Sequence, residues 1–162
     1  MLEAYSLHPD AFTSSAAERA KLPLEWWERR LSADEKAKDL VLGAFIKGML
    51  SGVVGLAFEE REKTRHKASL FGMYVPSRHR NKGLGSLLVR AALSHAQSRP
   101  GVRVVQLTVT AGNVAAQSLY ERHGFVPFGF EPFAVLVASS FVAKVHMWYF
   151  IDRNQHCEQA LS

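Results

Sequence analysis

The chain has 162 residues, enough for one domain with a core of useful size. Apolar residues make up 48% and charged residues 22%, the balance of an ordinary soluble globular protein, and no apolar run approaches the roughly 18 residues that cross a bilayer. The net charge of +5 is mild, and most basic residues are interleaved with acids, as in Glu59-Glu60-Arg61-Glu62-Lys63. Such a surface is solvated far more often than it is a nucleic-acid footprint, so neither a membrane nor a nucleic acid is an expected partner.

In chain order, the first forty residues have helical, amphipathic patterning. Pro23 suits a helix start, and Leu24, Trp27 and Leu31 fall on one face at helical spacing. Residues 40–46 and 50–58 are apolar strands joined by a Lys47-Gly48 hairpin turn, and a polar loop follows over 59–67. A third strand over 70–75 is stopped by Pro76. Residues 83–98 carry Leu84, Leu87, Leu88, Ala91, Ala92 and Leu93 in the pattern of a one-faced helix, ended by Pro100-Gly101. A branched-rich strand covers 102–110. Asn113 caps a helix through His123, with Gly124 at the position of a C-cap glycine. Residues 126–151 form two long strands with a turn near Ser139-Ser140. The succession predicts a mixed α/β domain over 1–151, followed by a polar tail over 152–162.

The junction at Val75-Pro76-Ser77-Arg78-His79-Arg80-Asn81-Lys82-Gly83-Leu84-Gly85-Ser86 runs from a strand into a helix. A helix start offers unpaired N–H groups and the positive end of a dipole. Gly83 and Gly85 allow close approach to the backbone, and Arg80 and Lys82 add charge, so a phosphate or pyrophosphate is a natural ligand. The motif is neither a P-loop nor a dinucleotide fingerprint, since Leu88 stands where the third glycine would be. Taken alone, the two glycines are equally well explained by tight strand–helix packing.

A second segment joins it: Asn113, Ala116, Leu119-Tyr120 and Gly124-Phe125. Together, Arg80-Asn81-Lys82-Gly83-Leu84-Gly85 and the run from Asn113 to Phe125 resemble the GNAT superfamily of N-acetyltransferases over roughly residues 10–150. The resemblance implies a mostly antiparallel central sheet flanked by helices, and acetyl-CoA as co-substrate with no metal. It implies direct attack by a primary amine, from a small molecule or a peptide N-terminus, on the thioester. The cofactor-binding set it implies is Met73, Tyr74 and Val75 on the strand beside the acetyl group, then Arg80, Asn81, Lys82, Gly83, Leu84, Gly85 and Ser86 around the diphosphate, and Asn113 on the pantetheine arm. A backbone N–H of Met73 or Tyr74 is the candidate oxyanion donor, and Tyr120 the catalytic acid that protonates the departing thiolate. Met73 and Val75 are equally natural core residues, and Asn113 an equally natural N-cap.

Several features depart from the family pattern. Where some members carry a glutamate base, this chain has Ser69, Leu70 and Phe71, so the base is unassigned; Glu59, Glu60 and Glu131 are the carboxylates to consider. Asn81 replaces a glycine, a substitution that left-handed backbone tolerates. Ala143-Lys144 stands where relatives often have Asp-Glu. The family's first strand has no counterpart before residue 40, and the exposed sheet edge this leaves makes a homodimer an expectation. Phe12, Trp26, Trp27 and Phe133 are candidate walls of the amine pocket, with a core role as the alternative. The single cysteine, Cys157, and the lack of a basic-then-apolar N-terminal segment suit a cytoplasmic protein. The seven histidines form no zinc motif. The missing base and short start also motivate a second reading, a non-catalytic acyl-CoA-binding or regulatory domain.

Overall fold

The structure is a computed structural model and describes residues 1–31, 34 and 37–152. Of the polar tail expected over 152–162, all but Asp152 lies outside the described residues, Cys157 included.

Three short helices open the chain: α1 (Leu2–Leu7), α2 (Ala16–Ala20) and α3 (Leu24–Arg29). Strands β1 (Asp39–Ile46), β2 (Met49–Phe58) and β3 (Lys67–Tyr74) follow, then α4 (Leu84–Ser98), β4 (Val104–Thr110), α5 (Val114–Arg122), β5 (Val126–Val137) and β6 (Ser140–Phe150). The six strands make one sheet in the order β1-β2-β3-β4-β6-β5. Only the β3–β4 pair is parallel. The mixed, mostly antiparallel sheet flanked by helices is therefore as expected, and among the described residues no strand precedes β1.

Local chemistry explains the joints. Lys47 (φ 49°) and Gly48 (φ 79°) both take left-handed backbone, the geometry that turns a two-residue hairpin with the twist of its strands. In α2 the Ser15 hydroxyl accepts from Glu18 N (3.1 Å) and the Glu18 carboxylate accepts from Ser15 N (2.8 Å), a reciprocal capping box. Helix α4 turns Leu88, Val89, Ala92, Leu93 and Ala96 into the core beneath β1 and β2. Its three larger buried side chains contribute about 1.5–3 kcal/mol each. The floor of the core is Val54, Leu56, Val105 and Met147, with Phe125 and Ile151 closing it.

One expectation fails at α3. Leu24 and Leu31 are 67% and 66% exposed, so the face they share with Trp27 is not buried. The helix is anchored through Trp26 instead, whose ring lies between two guanidinium groups: Arg19 at 4.6 Å and Arg30 at 4.0 Å. The first forty residues are also more broken than their patterning suggests, since α1, α2 and α3 are each six residues or fewer.

Candidate active site

The sheet opens at its centre. Strands β3 and β4 pair only from Lys67↔Val104 to Ser69↔Gln106, and beyond that the two strands have no ladder partners in one another. β3 also bulges: Val53 and Gly55 on β2 face Tyr74 and Phe71, so β3 spends one extra residue between them. Gly72 carries the strain at φ +60°, a conformation glycine adopts freely. Divergence and bulge together free backbone polar groups of β3 along a cleft in the middle of the sheet.

Two cavities meet at this cleft, sharing Ala11, Phe12, Met73, Asn113 and Ala116 in their walls. The larger, about 520 Å³, runs over Met73, Tyr74 and Val75 to Arg80, Asn81, Gly83, Leu84, Gly85 and Ser86, with the N-terminal part of α5 opposite. The smaller, about 230 Å³, is walled by Phe71 and Gly72, by Thr108 to Thr110 on β4, and by Phe12, Arg19 and Arg30; Tyr120 lines it as well. The structure thus brings every expected cofactor-site residue except Lys82 into the walls of the larger cavity, and Tyr120 into the smaller one. Lys82 is exposed and lies outside both linings.

At the start of α4, Gly83 takes φ +77° and a Cβ there would meet nothing within 4 Å, so the groove is open above it. Asn81 takes left-handed backbone (φ 59°), the state expected of it. Gly85 has a second duty, since a Cβ on it would lie 3.1 Å from Leu119 Cδ2; its bareness lets α4 and α5 pack closely. Arg80 is held in place, Nε donating to Val75 O (2.9 Å) and a terminal nitrogen 3.0 Å from His8 Nε2. Tyr74 donates to Glu3 (3.2 Å), which also pairs with Arg78 at 3.7 Å, so α1 lies across the end of β3. Ser86 Oγ is 3.1 Å from His123 Nε2, and burial, with Arg90 and Arg122 nearby, lowers the pKa of that imidazole.

Asn113 Oδ1 accepts from Ala116 N at 3.1 Å, which commits its oxygen to capping α5 while the residue lines both cavities. Tyr120 is 6% exposed and meets Phe125 edge-on; burial pushes its phenol up to about 12. Such a group is protonated at neutral pH and can donate.

Among the other carboxylates, Glu131 is hydrogen-bonded to His146 Nε2 at 2.8 Å. Neither residue lines a cavity, but His146 is the ladder partner of Thr108, a wall residue of the smaller one. Glu59 and Glu60 are exposed just past the end of β2, and neither lines a cavity. Lys144, where relatives often carry an acid, is 4% exposed and donates to Asp10 O (2.9 Å), Ala11 O (3.1 Å) and Thr110 Oγ1 (3.0 Å). It fastens the loop before Phe12 to the sheet. Of the proposed aromatic walls, Phe12 lines both cavities, Trp26 and Trp27 line neither, and Phe133 is 72% exposed against Phe141. Sequence reasoning missed Arg19, Arg30 and His8, because only the folding of α1–α3 over the sheet brings them to the cavities. No helix among the described residues is long and apolar enough to cross a membrane.

The model of the acetyltransferase (GNAT) family matches residues 1–125. The L-amino acid N-acetyltransferase AaaT of Escherichia coli (strain K12) is 32% identical over 99 residues, 61% of this chain and 59% of that protein, so the match spans about three fifths of the relative's length. A GNAT-family acetyltransferase from Streptococcus pneumoniae superposes with a TM-score of 0.71 at 32% identity, over 79% of this chain and 75% of that one. A ribosomal-protein-alanine N-acetyltransferase from Brucella melitensis, at 23% identity, shares the fold over 93% of this chain and 91% of its own, with a TM-score of 0.74. With its split sheet, its glycine-opened helix start and this family match, the chain belongs to the acetyltransferase (GNAT) family.

Proposed function

We propose that this chain transfers the acetyl group of acetyl-CoA to a primary amine by direct attack on the thioester. The observation that carries the reading is the junction of two cavities at the β3–β4 split, one running to the start of α4 and the other ending on Tyr120. The residues fit the co-substrate. The N–H groups of the first turn of α4 have no intrahelical acceptors, and Gly83 leaves the approach to them clear for a diphosphate. The split exposes β3 backbone to the amide groups of a pantetheine arm.

In this reading the chain supplies position, charge stabilisation and proton transfer. The cavities hold the two reactants end to end. A backbone N–H of Met73 or Tyr74, beside the bulge, donates to the oxygen that gains charge as the amine attacks. Tyr120 keeps its proton across the working pH range and gives it to the departing thiolate. His146, oriented by Glu131, takes the amine proton through water.

The test is release of CoA thiol from acetyl-CoA over a panel of primary amines. Tyr120→Phe is expected to lower kcat about 10²-fold or more with little change in KM for acetyl-CoA. Tight CoA binding with no turnover of any amine would favour the non-catalytic acyl-CoA-binding reading.

A further inference from the structure

The smaller cavity contains an unbalanced charge. The ionisable side chains in its walls are Tyr5, Arg19, Arg30 and Tyr120, with no carboxylate among them. Arg30 is already neutralised, its Nε 3.5 Å from the Asp39 carboxylate. Arg19 is not: among the described residues it makes no ion pair, and its Nε is buried without a hydrogen-bond partner. The adjacent Glu18 feels the Arg19 charge through space, but its carboxylate is engaged by the capping box at Ser15 and makes no ion pair with Arg19. Arg19 is held rather than loose, stacked 4.6 Å from the centre of the Trp26 ring and 5.9 Å from that of Tyr5. A half-buried guanidinium whose Nε is closed off from water without a partner, fixed by aromatic rings beside a cavity with no carboxylate in its walls, is a ready partner for an anionic ligand. Its planar fork matches a carboxylate in two parallel hydrogen bonds.

We infer that Arg19 binds a carboxylate carried by the acceptor amine, so that the acceptor is a free amino acid rather than a polyamine or the N-terminus of a longer peptide. This rests on the acetyl-transfer reading for its amine, but not for its anion. Cationic amines would bring like charge into a cavity that already holds Arg19, and a peptide would place an amide where the carboxylate belongs. The bonds made and broken remain those of acetyl transfer; Arg19 fixes which molecule presents its nitrogen.

The experiment compares the twenty amino acids with their carboxamides, as acceptors in thiol release and as ligands in calorimetry against the protein saturated with CoA. Wild type is expected to prefer at least one acid over its amide by about 10- to 100-fold in kcat/KM, the worth of a hydrogen-bonded charge pair. Arg19→Met is expected to erase that preference by raising KM for the acid while leaving the amide unchanged. Arg19→Lys, which keeps charge and stem, should fall between them. Amides or carboxyl-free amines used as well as the acids by wild type would overturn the inference. So would an Arg19→Met variant, melting like wild type, that loses acid and amide equally. If no amine is acetylated but acids bind wild type and not Arg19→Met, the anion site stands and the acetyl-transfer reading falls. If acids do not bind or react, the anion site falls.

Discussion

Replacing Lys144 by methionine tests how the acceptor side of the site is held. The Lys144 ammonium has three partners, Asp10 O, Ala11 O and Thr110 Oγ1. Methionine fills nearly the same volume and supplies none of them. Asp10 O keeps a bond, since Thr110 Oγ1 also donates to it at 2.8 Å, so the orphan is the Ala11 carbonyl. An unsatisfied acceptor costs about 1–3 kcal/mol when buried, Ala11 is half-buried, and relief of the buried ammonium offsets part of the loss. The net loss should be about 1–2 kcal/mol, a fall of roughly 2–6 °C in Tm for a domain of this size. The following residue, Phe12, lines both cavities, so a loosened loop should raise KM for the amine several-fold more than it lowers kcat. The pH dependence has a definite sign. Burial lowers the Lys144 pKa from 10.5, so the folded protein holds this proton less tightly than the unfolded chain. Wild-type stability should therefore gain from this site as pH rises through the folded value towards 10.5, and Lys144→Met should lack that gain. Thermal melts by circular dichroism, with amine kinetics, read all three. An unchanged Tm together with an unchanged KM would refute the idea that Lys144 secures the loop.

Other expectations follow from the same geometry. Because burial holds the Tyr120 phenol at about 12, kcat should show no alkaline decline from this group between pH 7 and 10; a fall there that vanishes in Tyr120→Phe would contradict it. His146→Ala should lower kcat/KM at neutral pH about 100-fold, while an unchanged kcat/KM would exclude His146 as base. The Phe71 ring lies against Gly55, where a Cβ would collide with its Cζ and both Cε atoms, so Gly55→Ala should drive that ring towards the smaller cavity. We expect about 1–3 kcal/mol of destabilisation and a raised KM for the amine; a wild-type melting curve and KM would mean the ring moves elsewhere at no cost.

What the sequence revealed divides along the range of the interactions. The start of α4 and the cap of α5 were legible because their signals are local: Gly83 and Asn81 need left-handed backbone, and Asn113 reaches only three residues ahead. The Lys47-Gly48 hairpin was legible for the same reason. The acceptor side was not. Arg19 and Arg30 meet around Trp26 only after α2 and α3 fold back, and helical periodicity pointed instead to Leu24, Trp27 and Leu31. Lys144 stands where relatives often carry an acid, yet two of its three partners lie more than a hundred residues earlier, in the loop at Asp10 and Ala11. The bulge at Gly72 is likewise a property of register between β2 and β3, with no signature beyond a glycine in a strand.

The central claim is that the start of α4 receives the diphosphate of coenzyme A. Titrating CoA into the folded chain in a calorimeter, alongside a Gly83→Val variant that melts cooperatively, tests it most directly. A side chain at Gly83 would project into open groove and take a strained φ of +77°. The account predicts saturable heat for wild type with Kd below about 1 mM, and binding weakened at least about tenfold in the variant. No saturable heat from wild type, or equal affinity in the two proteins, would contradict it.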